Sequence, residues 1–502
     1  MIPGYASDHP RNSDQVAIDG PVATLSSVIA DRVTQPPLSI GIIGPPGTGK
    51  TFFIRRMQER ILDLAGAARS SEQAGLNTKY CSRIVQINFR AWHYLGSSVA
   101  ANLARQVFES LPIARPENGR SEKIMQELEA ARLRRSDQTE DTQRFQDFIN
   151  ERVNESRNTN LEAIVRKDFE QLNALAYDPE GIGMERIVLY FDELDHCPPD
   201  RVMQVLEGLR LFFSLPLFVT VVAVDLRWLL LSIERQMPII APAEREEDPE
   251  AATHWSSTPW NYLEEIIQIP YVLPPMERAG YRRLIDNIVV SAMKDVSRVP
   301  EAAQYEGDAQ PQTNSISVIP EIESASPVLE QEETNFIKAL APLIATPRQA
   351  IRMVNLYSVF RASLDRNQMA GLLGAEESQG EYQAVLLLFA VLTSFPILVV
   401  PLFKRVHQSD SDTGSWWKLV ERLRPESGSD APSNAVQSMM TPAEAVLWSR
   451  LCDQLEEVRN SKEAIGVDQL RPFRKWVIEV ARFSIRTAHL VPRTADGGTK
   501  SN

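Results

Sequence analysis

The chain has 502 residues, of which 43% are hydrophobic and 24% are charged, and its formal net charge is −13. This length exceeds what one hydrophobic core usually fills, so we expect at least two folded units. The composition excludes a wholly disordered chain, and the acidic balance argues against a protein that coats nucleic acid through bulk charge. The three cysteines are far apart, which favours a reducing, cytoplasmic compartment without disulfides or a zinc site.

The chain begins with a polar segment, residues 1–14, that lacks the apolar run of a secretory signal. Helical periodicity over 21–35 predicts a first helix, and the apolar run 38–44 predicts a buried strand. A glycine-rich loop follows, and helical periodicity resumes over 50–64. Strand, glycine loop and helix in this order form the first half of a βαβ unit.

Further strand and helix patterns alternate along the chain as far as residue 275. Strands are expected at 82–89, 186–192 and 217–225, and helices at 99–111 and 200–213. This alternation predicts an α/β core over 15–275, with a mostly parallel sheet and helices on both faces.

Two stretches interrupt the predicted core. Residues 115–180 are charge-rich and carry a loose apolar stripe, which predicts a helical insertion. Residues 241–260 are rich in Pro, Glu and Ser, which predicts a flexible loop.

The second half of the sequence has no strand pattern. We expect a helical connection over 276–300, an all-helical C-terminal domain over 335–490, and a tail over 491–502. Between them, residues 301–334 contain eight acidic residues and no Lys or Arg. Charge of one sign with few large apolar residues does not offset the entropy of ordering, so we expect a disordered linker there.

One uncharged run, 384–403, is long enough to cross a bilayer. It contains Pro396 and Pro401, and ordinary amphipathic sequence flanks it. We therefore expect a buried core helix followed by a short apolar turn, and no transmembrane helix. Peripheral association with a membrane stays open as an alternative.

The most specific motif is GPPGTGKT, Gly44 to Thr51, which satisfies G-x-x-x-x-G-K-[ST] between a strand and a helix. Its glycines let backbone N–H groups turn inward around phosphate oxygens, and the helix N-terminus adds partial positive charge. Lys50 is expected to reach the β- and γ-phosphates, and the Thr51 hydroxyl to coordinate Mg²⁺. A chance turn is the alternative. The predicted nucleotide-binding residues are Gly44, Pro45, Pro46, Gly47, Thr48, Gly49, Lys50, Thr51 and Phe52.

A second motif is the apolar strand 187–191, which ends in the sequence DELD. Asp192 is expected to hold Mg²⁺ or its water, and Glu193 to orient and deprotonate the attacking water. Together with Lys50, these two acids are the predicted catalytic residues. The alternatives are a solvated acidic turn, or a metal site that includes His196, which lacks partners at usable spacing.

Two weaker signals concern positions further along the chain. Asp225 ends the next apolar strand with Arg227 close behind, and it could sense the γ-phosphate or cap the strand. Thr346 and Pro347 open a helix as N-cap and first residue. Arg348 and Arg352 share one face of that helix. Either arginine could reach the nucleotide, or both form a solvated surface pair.

The chain resembles the KAP P-loop NTPases, a branch of the STAND-type signalling ATPases, in more than the phosphate loop. The similar segments are NFRAWHY (88–94), FDELDHCPP (191–199), YLEEIIQIPYVLP (262–274) and PRQAIRMVN (347–355). They occur in the order of the family and span roughly 15–405. Arg90, Glu193 and His196 replace the usual Asn, Asp and Arg of these segments.

The resemblance implies an α/β NTPase core with a helical C-terminal lid, ATP as the preferred nucleotide, and homo-oligomerisation or a protein partner in signalling or defence. The leading hypothesis is a slow ATPase whose nucleotide state switches its assembly. The alternative hypothesis is a scaffold that binds ATP without hydrolysing it. A motor on nucleic acid is a third idea, which the acidic balance disfavours.

Overall fold

A computed structural model describes residues 18–90, 106–107, 184–210, 212, 215–236, 259–296, 329–374, 380–409, 414–424, 441–464 and 467–491. The chain divides into two compact units, Pro10–Pro274 and Pro275–Asn502. The predicted N-terminal segment, the helical insertion 115–180, most of the loop 241–260 and nearly all of the tail lie outside the described residues.

The first unit is built on a five-stranded sheet in the order β2-β3-β4-β1-β5. All the described strand pairs are parallel, which confirms the predicted α/β class. The strands are β1 (Leu38–Ile43), β2 (Ile84–Arg90), β3 (Arg186–Asp192), β4 (Phe218–Val224) and β5 (Ile269–Val272). The sequence did not predict β5, which has only four residues and contains Pro270, a residue that is unfavourable in strands.

Helices cover both faces of this sheet. They are α1 (Asp19–Ala30), α2 (Lys50–Gln73), α3 (Pro199–Arg210), α4 (Leu226–Gln236) and α5 (Pro259–Ile266). On β3, Val188 and Tyr190 pack with α1 and α2 in one apolar cluster, whereas Leu189 and Phe191 pack with α3, α4 and α5 in another. A strand that is buried on both faces has a continuous run of apolar residues in its sequence. Residues 187–191 of β3 are such a run.

Helix α1 is shorter than its sequence pattern indicates. The predicted helix runs to residue 35, but the backbone of Asp31 is already extended and Val33 is 84% exposed. The prediction was wrong at this end, because an apolar residue at helical spacing prolongs a helix only where it has a surface to pack against. Helix α2 instead extends beyond the predicted residue 64 to Gln73.

The described part of the second unit is helical. Its helices are α6 (Arg278–Val296), α7 (Gln331–Ala339), α8 (Pro347–Ala362), α9 (Arg366–Leu373), α10 (Tyr382–Ser394), α11 (Val399–Gln408), α12 (Trp416–Glu421), α13 (Pro442–Arg459) and α14 (Leu470–Ala481). Helix α8 begins as the sequence predicts, with Thr346 as N-cap and Pro347 in the first turn.

Helix α7 begins inside the linker that the sequence predicts over 301–334. Glu330 and Glu333 form a capping box at its start, and Phe336 and Ile337 are fully or almost fully buried. The disorder prediction was therefore wrong for its last few residues. Their acidic side chains cap the helix, and burial of the following apolar residues stabilises it.

The uncharged run 384–403 forms most of α10 and the first half of α11. Leu386, Leu388 and Val391 on α10 are fully buried in the apolar core of this unit. The two helices are separated at Pro396, where Ile397 is 54% exposed. Among the described residues, no helix combines the length and apolarity needed to span a membrane.

Candidate nucleotide-binding site

The loop after β1 has the backbone that a phosphate cradle requires. The φ angles of Gly47 and Gly49 are 85° and 99°, a left-handed conformation that glycine adopts without strain. The N–H of Gly44 donates to the carbonyl of Val224 on β4 at 3.1 Å, and the Thr48 hydroxyl donates to the carbonyl of Pro45 at 2.8 Å. A Cβ on Gly44 would lie 2.7 Å from the Thr48 Oγ1, so the loop has no room for a side chain there.

Lys50 opens α2, and only 7% of it is exposed. Its Nζ donates to the carbonyls of Gly44 and Pro45 at 2.8 and 3.3 Å. It also lies 3.6 Å from Oδ2 of Asp195. The sequence singled out Lys50 but assigned no role to Asp195. The signal that could have found this acid is its place as the last acid of the DELD sequence, directly after the strand that carries Asp192.

Thr51 and Asp192 come together at the carboxyl edge of the sheet. The Thr51 hydroxyl and the N–H of Glu193 both donate to the Asp192 carboxylate. Burial raises the pKa of Asp192, and these hydrogen bonds offset part of that rise. Thr51 itself is exposed. A hydroxyl oxygen and a carboxylate are hard donors of the kind that Mg²⁺ takes.

Glu193 is the one non-glycine residue with positive φ in the described part of the chain, at φ 64° and ψ 28°. Consecutive strand residues normally point to opposite faces, but this left-handed turn takes Glu193 out of the pleat of β3. Non-glycine residues in this conformation are uncommon, and they cluster at functional sites.

Asp225 follows β4 and is bound to Arg227. Its oxygens accept hydrogen bonds from the Arg227 Nε, Nη2 and backbone N–H at 3.1, 2.7 and 3.1 Å. Burial alone would raise the pKa of Asp225, but the hydrogen bonds from Arg227 outweigh it and lower the pKa. Phe52 is half-buried and packs on the apolar cluster beneath α2.

The donor set fits a nucleotide with Mg²⁺. Gly44 has no side chain, so the loop backbone can approach a phosphate closely. Gly47 and Gly49 turn the loop, and Lys50 supplies a cation. Thr51 and Asp192 supply adjacent oxygen donors. Arg348 and Arg352 are exposed on α8 in the second unit, and their part in this site stays a prediction. Residues 91–94 of the predicted family segment lie outside the described residues.

A phosphate loop after β1, two acids at the end of β3 and a parallel sheet that carries both at one edge define a P-loop NTPase core. The family described as "KAP family P-loop domain" matches residues 21–364. The chain belongs to this family, as its sequence motifs predicted, and it is a nucleotide-binding protein of the P-loop class.

The chain is also similar to solved structures of proteins from Aeropyrum pernix. They are the ORC2 protein in ADPNP–ADP complexes (11% identity, TM-score 0.33, 97% of this chain and 98% of that chain), its ADP form (10%, 0.34, 97% and 98%), and the ORC1 protein in complex with DNA (13%, 0.33, 97% and 97%). No curated protein matches. The identification rests on the family match.

Proposed function

We propose that the chain binds ATP with Mg²⁺, hydrolyses it slowly, and uses its nucleotide state as an assembly switch in signalling or defence. The observation that carries the proposal is the meeting of Thr51 and Asp192 beside a loop that holds Lys50. A hydroxyl and a carboxylate joined at the mouth of a phosphate loop supply two of the oxygen donors that Mg²⁺ needs beside a triphosphate.

In this proposal, different residues bind the phosphates, hold the metal ion and activate water. The loop N–H groups and Lys50 bind the phosphates, and Thr51 and Asp192 would hold Mg²⁺, which neutralises phosphate charge when bound. Glu193 orients a water molecule and accepts its proton. Its left-handed backbone supports this role, because the turn frees Glu193 from the strand while its N–H keeps the Asp192 carboxylate fixed at 2.8 Å.

Two features support a switch. The family resemblance implies ATP, a helical lid and oligomerisation. Arg348 and Arg352 are exposed near the start of α8, and in this proposal one of them contacts a nucleotide or a second copy of the chain. Asp225 would act as a sensor through its pair with Arg227, whose side chain is 74% exposed.

The first test compares nucleotide binding and turnover in three variants. Lys50→Ala removes the phosphate-binding cation and should weaken ATP affinity at least about a hundredfold. Glu193→Gln should bind ATP normally while turnover falls about a hundredfold or more. Lys79→Ala is the matched control, because the Lys79 side chain is 64% exposed and its contacts are an ion pair with Asp31 and the ring of Tyr80, neither of which belongs to the proposed site. It should behave as wild type in calorimetric binding and phosphate-release assays.

Normal turnover by Lys50→Ala would refute the assignment. Nucleotide that is retained in wild type through purification, with no turnover at any protein concentration, would support the non-hydrolysing scaffold instead. Light scattering after size exclusion, with and without a non-hydrolysable ATP analogue, tests the assembly step. An unchanged mass would contradict the switch but leave nucleotide binding intact. Turnover stimulated by added DNA or RNA would favour the motor.

A further inference from the structure

The Lys50 ammonium is surrounded by oxygen atoms of the chain itself. Its ammonium lies among two carbonyl oxygens of its own loop, Gly44 and Pro45, and the Asp195 carboxylate at 3.6 Å. Only 8% of the Lys50 side chain and 16% of the Asp195 side chain are exposed. A charge pair this sheltered from water is stronger than an exposed one, and either charge alone would be costly.

We propose that Asp195 is a positioning residue that holds Lys50 against the loop and competes with nucleotide phosphate for it, and so sets the nucleotide affinity. The inference rests on the proposed nucleotide binding and adds a regulatory carboxylate to the same site. It gives a distinct role to the last acid of the DELD sequence. Asp192 is engaged by Thr51 and by the N–H of Glu193, whereas Asp195 forms the ion pair with the lysine.

The segment that carries Asp195 is fixed from both sides. Leu194 is fully buried. The N–H groups of His196 and Cys197 donate to the carbonyls of Glu193 and Leu194, both at 3.1 Å. The Trp228 indole donates to the Cys197 carbonyl at 3.2 Å. Lysine has a long stem with four rotatable bonds, so Lys50 is the partner that moves when phosphate enters.

The competition follows from charge. A triphosphate brings several negative charges to a site where the lysine already has an anionic neighbour. The phosphate must draw the ammonium away from Asp195, and it also meets the repulsion of the carboxylate that remains. Removal of the Asp195 charge therefore strengthens nucleotide binding, although it leaves Lys50 with one partner fewer in the free protein.

A purely structural ion pair predicts something different. In that case the loss of Asp195 would destabilise the loop, and nucleotide binding would weaken together with the fold. The two possibilities are separated by measuring affinity and thermal stability on the same variants, because the proposal expects them to move in opposite directions.

The experiment measures the Kd for ATP and for ADP with Mg²⁺ by calorimetry, and the melting temperature without nucleotide, on the full chain. Asp195→Asn should bind both nucleotides about three- to tenfold more tightly. Without nucleotide it should melt about 2–4 °C lower. Asp195→Glu keeps the charge and should stay near the wild-type affinity. Asp63→Asn, an exposed acid further along α2, is the matched control and should change neither quantity.

A double-variant cycle completes the test. In a Lys50→Ala background, Asp195→Asn should no longer lower the melting temperature, because the pair is already broken. Unchanged or weaker nucleotide binding by Asp195→Asn would overturn the inference while the proposed function stands. If the wild type binds no nucleotide at all, the proposed function itself fails. Equal melting temperatures of wild type and Asp195→Asn would show that the pair does not hold the lysine.

Discussion

Charged side chains are buried in both units of the chain, but their partners differ in kind. In the helical unit, Glu333 is fully buried. It accepts hydrogen bonds from the hydroxyl of Tyr357 and the N–H of Glu330, and it lies 3.4 Å from an Nη of Arg361. Tyr357 and Arg361 are buried with it. We call these three side chains, Glu333, Tyr357 and Arg361, the helical cluster.

In the α/β unit, the comparable group is Lys50 with Asp192 and Asp195, which we call the loop cluster. Its two acids are only partly buried, and Thr51, which donates to Asp192, is exposed. The lysine donates to the carbonyls of Gly44 and Pro45 at 2.8 and 3.3 Å and lies 3.6 Å from the Asp195 carboxylate. In the proposed function, these contacts of Lys50 are exchanged for contacts to nucleotide phosphate.

Burial of charge therefore does not by itself mark a functional site. The helical cluster is closed, and its groups fix the packing of α7 on α8. The acids of the loop cluster are only partly buried, and in the inference above its lysine exchanges Asp195 for nucleotide phosphate. The first should therefore govern stability, and the second should govern binding.

The largest stability effect is expected from Glu333→Ala. The change removes a capping-box acid and leaves the Arg361 guanidinium buried without its carboxylate, which should cost about 3–5 kcal/mol of unfolding free energy in the helical unit. Hydrogen exchange, resolved for peptides across α7 and α8, measures the loss.

The neighbouring change Glu332→Ala is the control for that prediction. Glu332 is exposed in the same first turn of α7. Its loss should remove only a favourable interaction with the helix dipole, below about 1 kcal/mol. Equal effects of the two substitutions would contradict the distinction between buried and exposed acids on this helix.

Smaller changes in the free energy of unfolding are expected from two glycine substitutions in the α/β unit, and the two changes have opposite signs. Gly44→Ala places a methyl group 2.7 Å from the Thr48 Oγ1, which should cost about 1–3 kcal/mol and weaken nucleotide binding. Gly66→Ala, in α2 with nothing within 4 Å of the new Cβ, should stabilise by about 0.5–1 kcal/mol. Denaturant unfolding measures the stability of both variants, and calorimetry measures their nucleotide affinity. If Gly44→Ala changed neither quantity, the loop would not be closely packed.

The smallest effect is a pH dependence in the helical cluster. Burial raises the pKa of Glu333 above its ordinary 4.5, and Arg361 and Tyr357 offset part of the rise. The folded state thus binds this proton more tightly than the unfolded chain. The stability of wild type relative to Glu333→Gln should be largest below pH 4.5 and fall as pH rises through the folded pKa. Unfolding free energies at pH 5 and pH 8 test this sign, which a pH-independent difference would contradict.

Features that depend on short stretches of chain were predictable from the sequence. The Gly44–Thr51 loop, the apolar run of β3 and the start of α8 at Thr346 are all found as expected. So is the burial of the run that forms α10. Each is encoded by a pattern of neighbouring residues, whose backbone preference or apolar period acts wherever the segment lies.

Tertiary structure decided the features that need a partner distant in sequence. Helix α1 ends at Ala30, β5 pairs with β1, and Glu193 turns left-handed. Asp195 and Lys50 are 145 positions apart in the sequence, yet they form an ion pair. Local propensity cannot specify such contacts, because they depend on how strands align and which surfaces meet. The residues of the loop and of the β3 end thus specify the class of site, whereas the tertiary arrangement, in which β4 separates β1 from β3, selects the acid that the lysine meets.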